Sequence, residues 1–174
     1  MASSLKNLSA YDAEKLSSAH GLRFAILVSE WNEEITDALC MGAFNTLIEN
    51  KVLEDDISIL HVPGSFELPF AAARIIKKKR VDAVICIGCV IQGETRHFEF
   101  ISQAVAQGIM NVGLSTDIPV VFGVLTTDTL EQAKDRAGGK HGNKGVEAAV
   151  AALRMASFPP PNKDRHAQRH SKNL

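Results

Sequence analysis

Four short apolar runs punctuate the chain, and each is followed by a segment in which apolar residues return every three or four positions. Arg23 to Ser29 is almost continuously apolar, the mark of a strand covered on both faces. Asn32 then stands as an N-cap, Glu33 and Glu34 suit the start of a helix dipole, and Ile35, Leu39, Ala43 and Leu47 predict a helix to about Lys51. Asp56 to Val62 reads as a second strand, Pro63-Gly64-Ser65 as a turn, and Phe66 to Lys79 as a helix that tolerates Pro69 in its first turn. The third run, Ala83 to Ile91, ends in the turn Gln92-Gly93-Glu94-Thr95. A helix from His97 to about Leu114 follows, broken by Asp117-Ile118-Pro119. Val120 to Thr126 is a fourth strand. Asp128-Thr129-Leu130-Glu131 resembles a capping box opening a short helix to Ala137, which Gly138-Gly139 ends. A loop from Lys140 to Gly145 leads into a last helix to about Phe158, with Val146, Val150 and Leu153 inward, and Pro159-Pro160-Pro161 stops it.

Strand and helix thus alternate four times, with one further helix. That order predicts an α/β fold: a four-stranded parallel sheet with helices on both faces, a three-layer α/β/α sandwich. Residues 21–158 form one domain, 1–20 an N-terminal arm, and the polar tail 159–174 reads as disordered. Ligands in such sheets bind beyond the carboxyl ends of the strands. This rule gathers four segments at one rim: Trp31-Asn32, Gly64 to Glu67, Gln92 to His97, and Thr126 to Asp128.

Composition narrows the function classes. The net charge of -1 gives no field to draw nucleic acid or an anionic membrane. No apolar run approaches the ~20 residues that span a bilayer. The first twenty residues carry Lys6, Asp12, Glu14 and Lys15 with no apolar core segment, which argues against a secretory signal. Three cysteines, an odd number, suggest a reducing, cytoplasmic compartment. Cys86 and Cys89 form a C-x-x-C, but residues three apart on a strand face opposite ways and cannot chelate one ion. No other cluster has metal-ligand spacing, so no metal is expected. Lys77 to Arg80 is most simply a solvated helix end favoured by the dipole.

The third strand–turn–helix junction carries the clearest chemistry. Its first helical turn leaves N–H groups unpaired, a site for an anion such as phosphate, with Arg96 and the imidazole of His97 beside it. Trp31, the only tryptophan, has two readings: a lid on the core, or a flat stacking surface for a heterocycle. Ser65 and Glu67 either cap a helix or bind a polyol, whose hydroxyls want donors and acceptors. Phe122 lies within the fourth strand, a core position by default. Arg136, Lys140 and Lys144 are three cations within nine residues, solvated surface by default. The Gly138 to Gly145 loop is not a P-loop, no G-x-G-x-x-G dinucleotide fingerprint occurs, and no G-x-S-x-G elbow is present.

Three segments together carry a family resemblance: Val62-Pro63-Gly64-Ser65-Phe66-Glu67-Leu68-Pro69, the turn from Gly93 through Thr95 to His97-Phe98-Glu99, and Arg136-Ala137-Gly138-Gly139-Lys140 with Gly142-Asn143-Lys144-Gly145. In order and spacing, from about Leu22 to Phe158, they resemble the lumazine synthase family, with its flavodoxin-like sheet. The resemblance implies condensation of a ribitylamino-uracil amine with 3,4-dihydroxy-2-butanone 4-phosphate, loss of phosphate, and ring closure in the penultimate step of riboflavin synthesis. It implies no cofactor. By the same resemblance Trp31 stacks on the pyrimidine and Ser65, Phe66 and Glu67 bind the ribityl chain. Cys89, Val90, Ile91, Phe122 and Lys144 line the substrate site. Gly93, Glu94 and Thr95 cradle phosphate with Arg136, His97 transfers protons, and Glu147 orients His97. It further implies a site shared between subunits of a homo-pentamer, and the Gly138 to Gly145 loop resembles that of members forming a sixty-subunit icosahedral shell.

The chain departs from the family pattern at three positions: Gln92 where a basic residue is more usual, Cys89 where Thr is common, and Trp31 where Phe is common. The first is expected to weaken phosphate attraction, and the last to favour weak flavin binding. Two other readings stand beside the enzyme: a flavodoxin-like module that binds a flavin or nucleotide without catalysis, and a shell protein without activity. The first leaves Arg136 and the Lys140–Lys144 loop without a purpose, and the second does not explain why His97 and Arg136 are both present.

Overall fold

The computed structural model describes Tyr11 and residues 19–158. The expected tail, and the arm apart from Tyr11, Ala19 and His20, lie outside the described residues. In chain order the elements are β1 (Phe24–Ser29), α1 (Glu33–Glu49), β2 (Ile57–Val62), α2 (Leu68–Lys78), β3 (Ala83–Ile91), α3 (His97–Thr116), β4 (Val120–Thr127), α4 (Leu130–Arg136), β5 (Ala137–Gly139), β6 (Gly142–Asn143) and α5 (Lys144–Ala156).

The main sheet has order β2-β1-β3-β4 with every pair parallel, so β1 and β3 are central and β2 and β4 are edges. Within the continuous apolar runs, period two decides which core each side chain enters. Phe24, Ile26 and Val28 of β1, with Ile85, Ile87 and Cys89 of β3, pack under α1 and α5. Ala25 and Leu27, with Val84 and Cys86, pack under α2 and α3. Each fully buried aliphatic or aromatic side chain stabilises the fold by about 1.5–3 kcal/mol, which is why two cores hold one thin sheet. The result is the expected three-layer α/β/α, flavodoxin-like sandwich. No helix among the described residues is long and apolar enough to cross a membrane.

The differences from expectation are local and have local causes. The helix expected from Phe66 opens instead with a 3-10 turn, Ser65–Glu67, and becomes α2 only at Leu68, with Pro69 in its first turn. Proline has no N–H to donate, so that position must fall where none is needed. At α4 the cap is shifted by one: Thr129 accepts from Gln132 N at 3.2 Å, and Gln132 Oε1 accepts from Asp128 N at 2.9 Å. Asn32 precedes α1 but makes no capping bond with its side chain. The expected loop after α4 folds into the β5–β6 hairpin, with Gly138 at φ 119 and Gly142 at φ 80, angles an L side chain rarely adopts.

Candidate active site

A cavity of about 540 Å³ opens at the carboxyl ends of β1 and β3, lined among others by Trp31, Ser65, Glu67, Cys89 and His97. Phe66, Val90, Ile91, Asn32, Gly64 and Ile101 complete its wall. Eight of the residues expected at the site therefore share one cavity within a single chain. A larger groove, about 690 Å³, lies at the opposite end of the sheet by Asp82 and Pro119, and its wall is mainly apolar. Its titratable lining residues are Asp82 and Asp117, and it sits away from the rim where parallel sheets bind ligands.

Two glycines make the first cavity possible. A Cβ on Gly64 would stand 3.1 Å from Glu67 Oε2 and 3.4 Å from Trp31 Cδ1, so indole and carboxylate meet over that glycine. A Cβ on Gly88 would stand 2.5 Å from Ser65 Oγ, so a bare backbone in β3 lets the serine sit buried beneath the 3-10 turn. Ser65 Oγ reaches Ser29 Oγ at 3.5 Å. Trp31 is 72% exposed, which removes the reading of a lid on the core and leaves a flat face open to a ligand.

The turn between Ile91 and His97 forms the lip of the cavity. Gln92 N donates to Thr127 O at 2.8 Å, which ties the turn to β4. The Gln92 amide donates to Gly93 O at 2.7 Å, so this side chain braces the turn from within. Thr95 Oγ1 accepts from His97 N at 3.4 Å. The N–H groups of Gly93, Glu94 and Thr95 donate to no group among the described residues, and they lie just ahead of the N-terminus of α3. His97 lines the cavity beside that turn.

Besides Gly93, Glu94 and Thr95 on the lip, four expected residues fall outside this cavity. Phe122 is neither core nor wall: it lies on the edge strand β4 and is 36% exposed. Lys144 Nζ pairs with Glu147 Oε2 at 2.7 Å on α5. That helix packs on the sheet face opposite α3, so within one chain Glu147 does not orient His97. The fourth, Arg136, ends α4, and its guanidinium has no hydrogen bond or ion pair among the described residues, whereas Lys134, Lys140 and Lys144 are each paired.

Residues 21–159 match the family model described as 6,7-dimethyl-8-ribityllumazine synthase. The chain belongs to this family. Curated members with that description include the protein of Porphyromonas gingivalis, 53% identical over 91% of this chain and 98% of its own length. That of Cytophaga hutchinsonii is 56% identical over 89% and 97%, and that of Flavobacterium johnsoniae 53% over 90% and 82%. Within this 6,7-dimethyl-8-ribityllumazine synthase fold, sequence reasoning gathered Asn32 and Gly64 at the rim without giving them a role in the site, and it missed Ile101 as a cavity residue. Ile101 was within reach, one turn along α3 from His97. The Asn32 contact was not, because its partner lies 57 residues away.

Proposed function

We propose that the chain joins 5-amino-6-(ribitylamino)uracil to 3,4-dihydroxy-2-butanone 4-phosphate, releases phosphate, and closes the ring to 6,7-dimethyl-8-ribityllumazine. The observation that carries this reading is one cavity in which an exposed indole, a hydroxyl–carboxylate pair and an imidazole converge beside unpaired N–H groups. Trp31 stacks on the pyrimidine. Ser65, Phe66 and Glu67 take the ribityl chain, whose hydroxyls need both donors and acceptors. Cys89, Val90 and Ile91 form the wall behind the ring. The N–H groups of Gly93, Glu94 and Thr95 hold the phosphate.

His97 moves the protons. The substrate amine attacks the ketone and water leaves to give an imine. The ring closes later, when the ribitylamino nitrogen attacks the ketone left at C3 and a second water leaves. Before that, His97 takes the C3 proton, the pair released forms a C3–C4 enol that tautomerises to that ketone, and the C4–O bond breaks with its electron pair on phosphate. Arg136 and the N–H cradle stabilise that charge as it develops. Each step is a proton transfer, a condensation or an elimination, chemistry that calls for no redox group or metal. Holding both substrates in one cavity supplies a large part of the acceleration.

Phe122, Arg136 and Lys144 complete the site of a neighbouring copy in this reading, and Glu147 travels with Lys144 toward that neighbour's His97. The open edge of β4 and the apolar groove at Met110, Leu114, Val121, Met155 and Phe158 support a homo-oligomer that covers them, a pentamer in which adjacent copies share sites. Pentamers then assemble into a sixty-subunit shell.

Mixing the protein with both substrates is expected to give lumazine absorbance and one phosphate per ring formed. Absence of both products overturns the reading. With Asp and Glu neighbours unchanged, His97→Ala is expected to lower kcat by about 10- to 100-fold without abolishing it, because proximity survives the loss of the proton carrier. An unchanged kcat removes His97 from the mechanism.

A further inference from the structure

A platform that is 72% exposed needs something to fix its orientation, and the residue after it does so. Asn32 has φ 62 and ψ 47, in the left-handed region that asparagine tolerates better than most residues. Its carbonyl accepts from Ile35 N at 2.8 Å and Thr36 N at 3.0 Å, opening α1. Its side chain does not bond locally. Nδ2 reaches across to β3 and donates to Cys89 O at 3.0 Å.

The sheet explains why that carbonyl is available. The β1–β3 register ends at Val28 with Ile87, so β3 runs on beyond its neighbour toward the rim. There the carbonyl of Cys89, a residue 2% exposed, has lost the strand that would have donated to it. The Asn32 amide takes the place of that missing donor, and a buried carbonyl without one is costly. On the other side of Trp31, Glu30 N donates to Val62 O at 2.9 Å. Trp31 is therefore held between two backbone-anchored neighbours, one tied to β2 and one to β3.

We infer that Asn32 is a positioning residue: its amide fixes the Trp31 platform relative to the Cys89–Ile91 wall and so sets how tightly the pyrimidine ring is held between them. This rests on the reading of Trp31 as the stacking surface. Asn32→Gly separates the two properties of the residue, since glycine keeps the left-handed backbone and loses the amide. Asn32→Asp keeps the shape and replaces the donor with an acceptor.

In steady-state assays both variants are expected to raise KM for the ribitylamino-uracil about five- to tenfold, the loss of one hydrogen bond to a buried carbonyl. KM for the ketone phosphate and kcat at saturation should change less than about twofold, because neither the anion cradle nor His97 is touched. Trp31 is the only tryptophan, so its fluorescence anisotropy reports the platform alone, and it should fall in both variants. Wild-type KM for the pyrimidine and wild-type anisotropy in Asn32→Gly, with native far-UV circular dichroism, overturn the inference. Trp31→Ala tells the two failures apart. If that change also leaves the pyrimidine KM untouched, the platform reading itself is lost; if it raises KM while Asn32→Gly does not, only the lock is lost.

Discussion

Cys86 and Cys89 are three residues apart and end in different cores, one under α2 and α3, the other under α1 and α5. Burial pushes the Cys86 thiol up to about 12 and those of Cys40 and Cys89 up to about 11, from an ordinary value of 9.0, with the Asp37 charge adding to the rise at Cys40. The folded state therefore keeps protons that the unfolded chain releases above pH 9. Below that pH the three thiols contribute their full stability, and the contribution is lost as pH climbs from about 9 toward 12. At pH 10 the loss is about 1 kcal/mol for the fully buried Cys86. Urea midpoints at pH 8 and pH 10 should show it, and Cys86→Ala should flatten the slope between them. That the two thiols cannot meet was legible from strand alternation alone. The bond from Asn32 to Cys89 was not, because an asparagine before a helix reads as a cap until the fold brings a distant carbonyl within reach.

The junction of α1 with α5 was likewise hidden, although both helices were plain from their apolar periods. A Cβ on Gly145 would collide with the carbonyl oxygen of Leu39, and one on Gly42 would stand 2.5 Å from Asn143 Oδ1. Asn143 fills the space these glycines leave. It caps α5 by accepting from Gly145 N at 2.8 Å and crosses to α1 by donating to Ala38 O at 2.9 Å. Glycine and asparagine in a row look like loop, and here they fold as a hairpin and a helix lock. Gly145→Ala must push α5 away from α1, so it is expected to destabilise by about 3 kcal/mol or more, read as a lower urea midpoint. Strands and helices could be read from the chain because each has a period of its own. The lock could not, since it depends on clearance between elements about a hundred residues apart.

At the scale of the molecule, one chain holds two sets of the residues expected at the site: Trp31, Ser65, Glu67 and His97 in its own cavity, and Phe122, Arg136 and Lys144 away from it. The rim itself followed from strand order, but which residues face a shared boundary does not show in a single sequence. If the second set serves a neighbour, Trp31→Ala and Arg136→Ala are each strongly impaired alone, yet co-assembled they regain activity in about one quarter of sites, those combining an intact platform with a neighbour's intact arginine. No recovery in mixed assemblies means that the sets are not shared. The unpaired Arg136 has a further consequence for how this protein is handled. In the proposed reading, a solitary copy holds the pyrimidine and lacks the clamp that draws off the leaving group. Dilution would therefore switch off turnover before it weakened pyrimidine capture, and specific activity per milligram would fall as the stock is thinned.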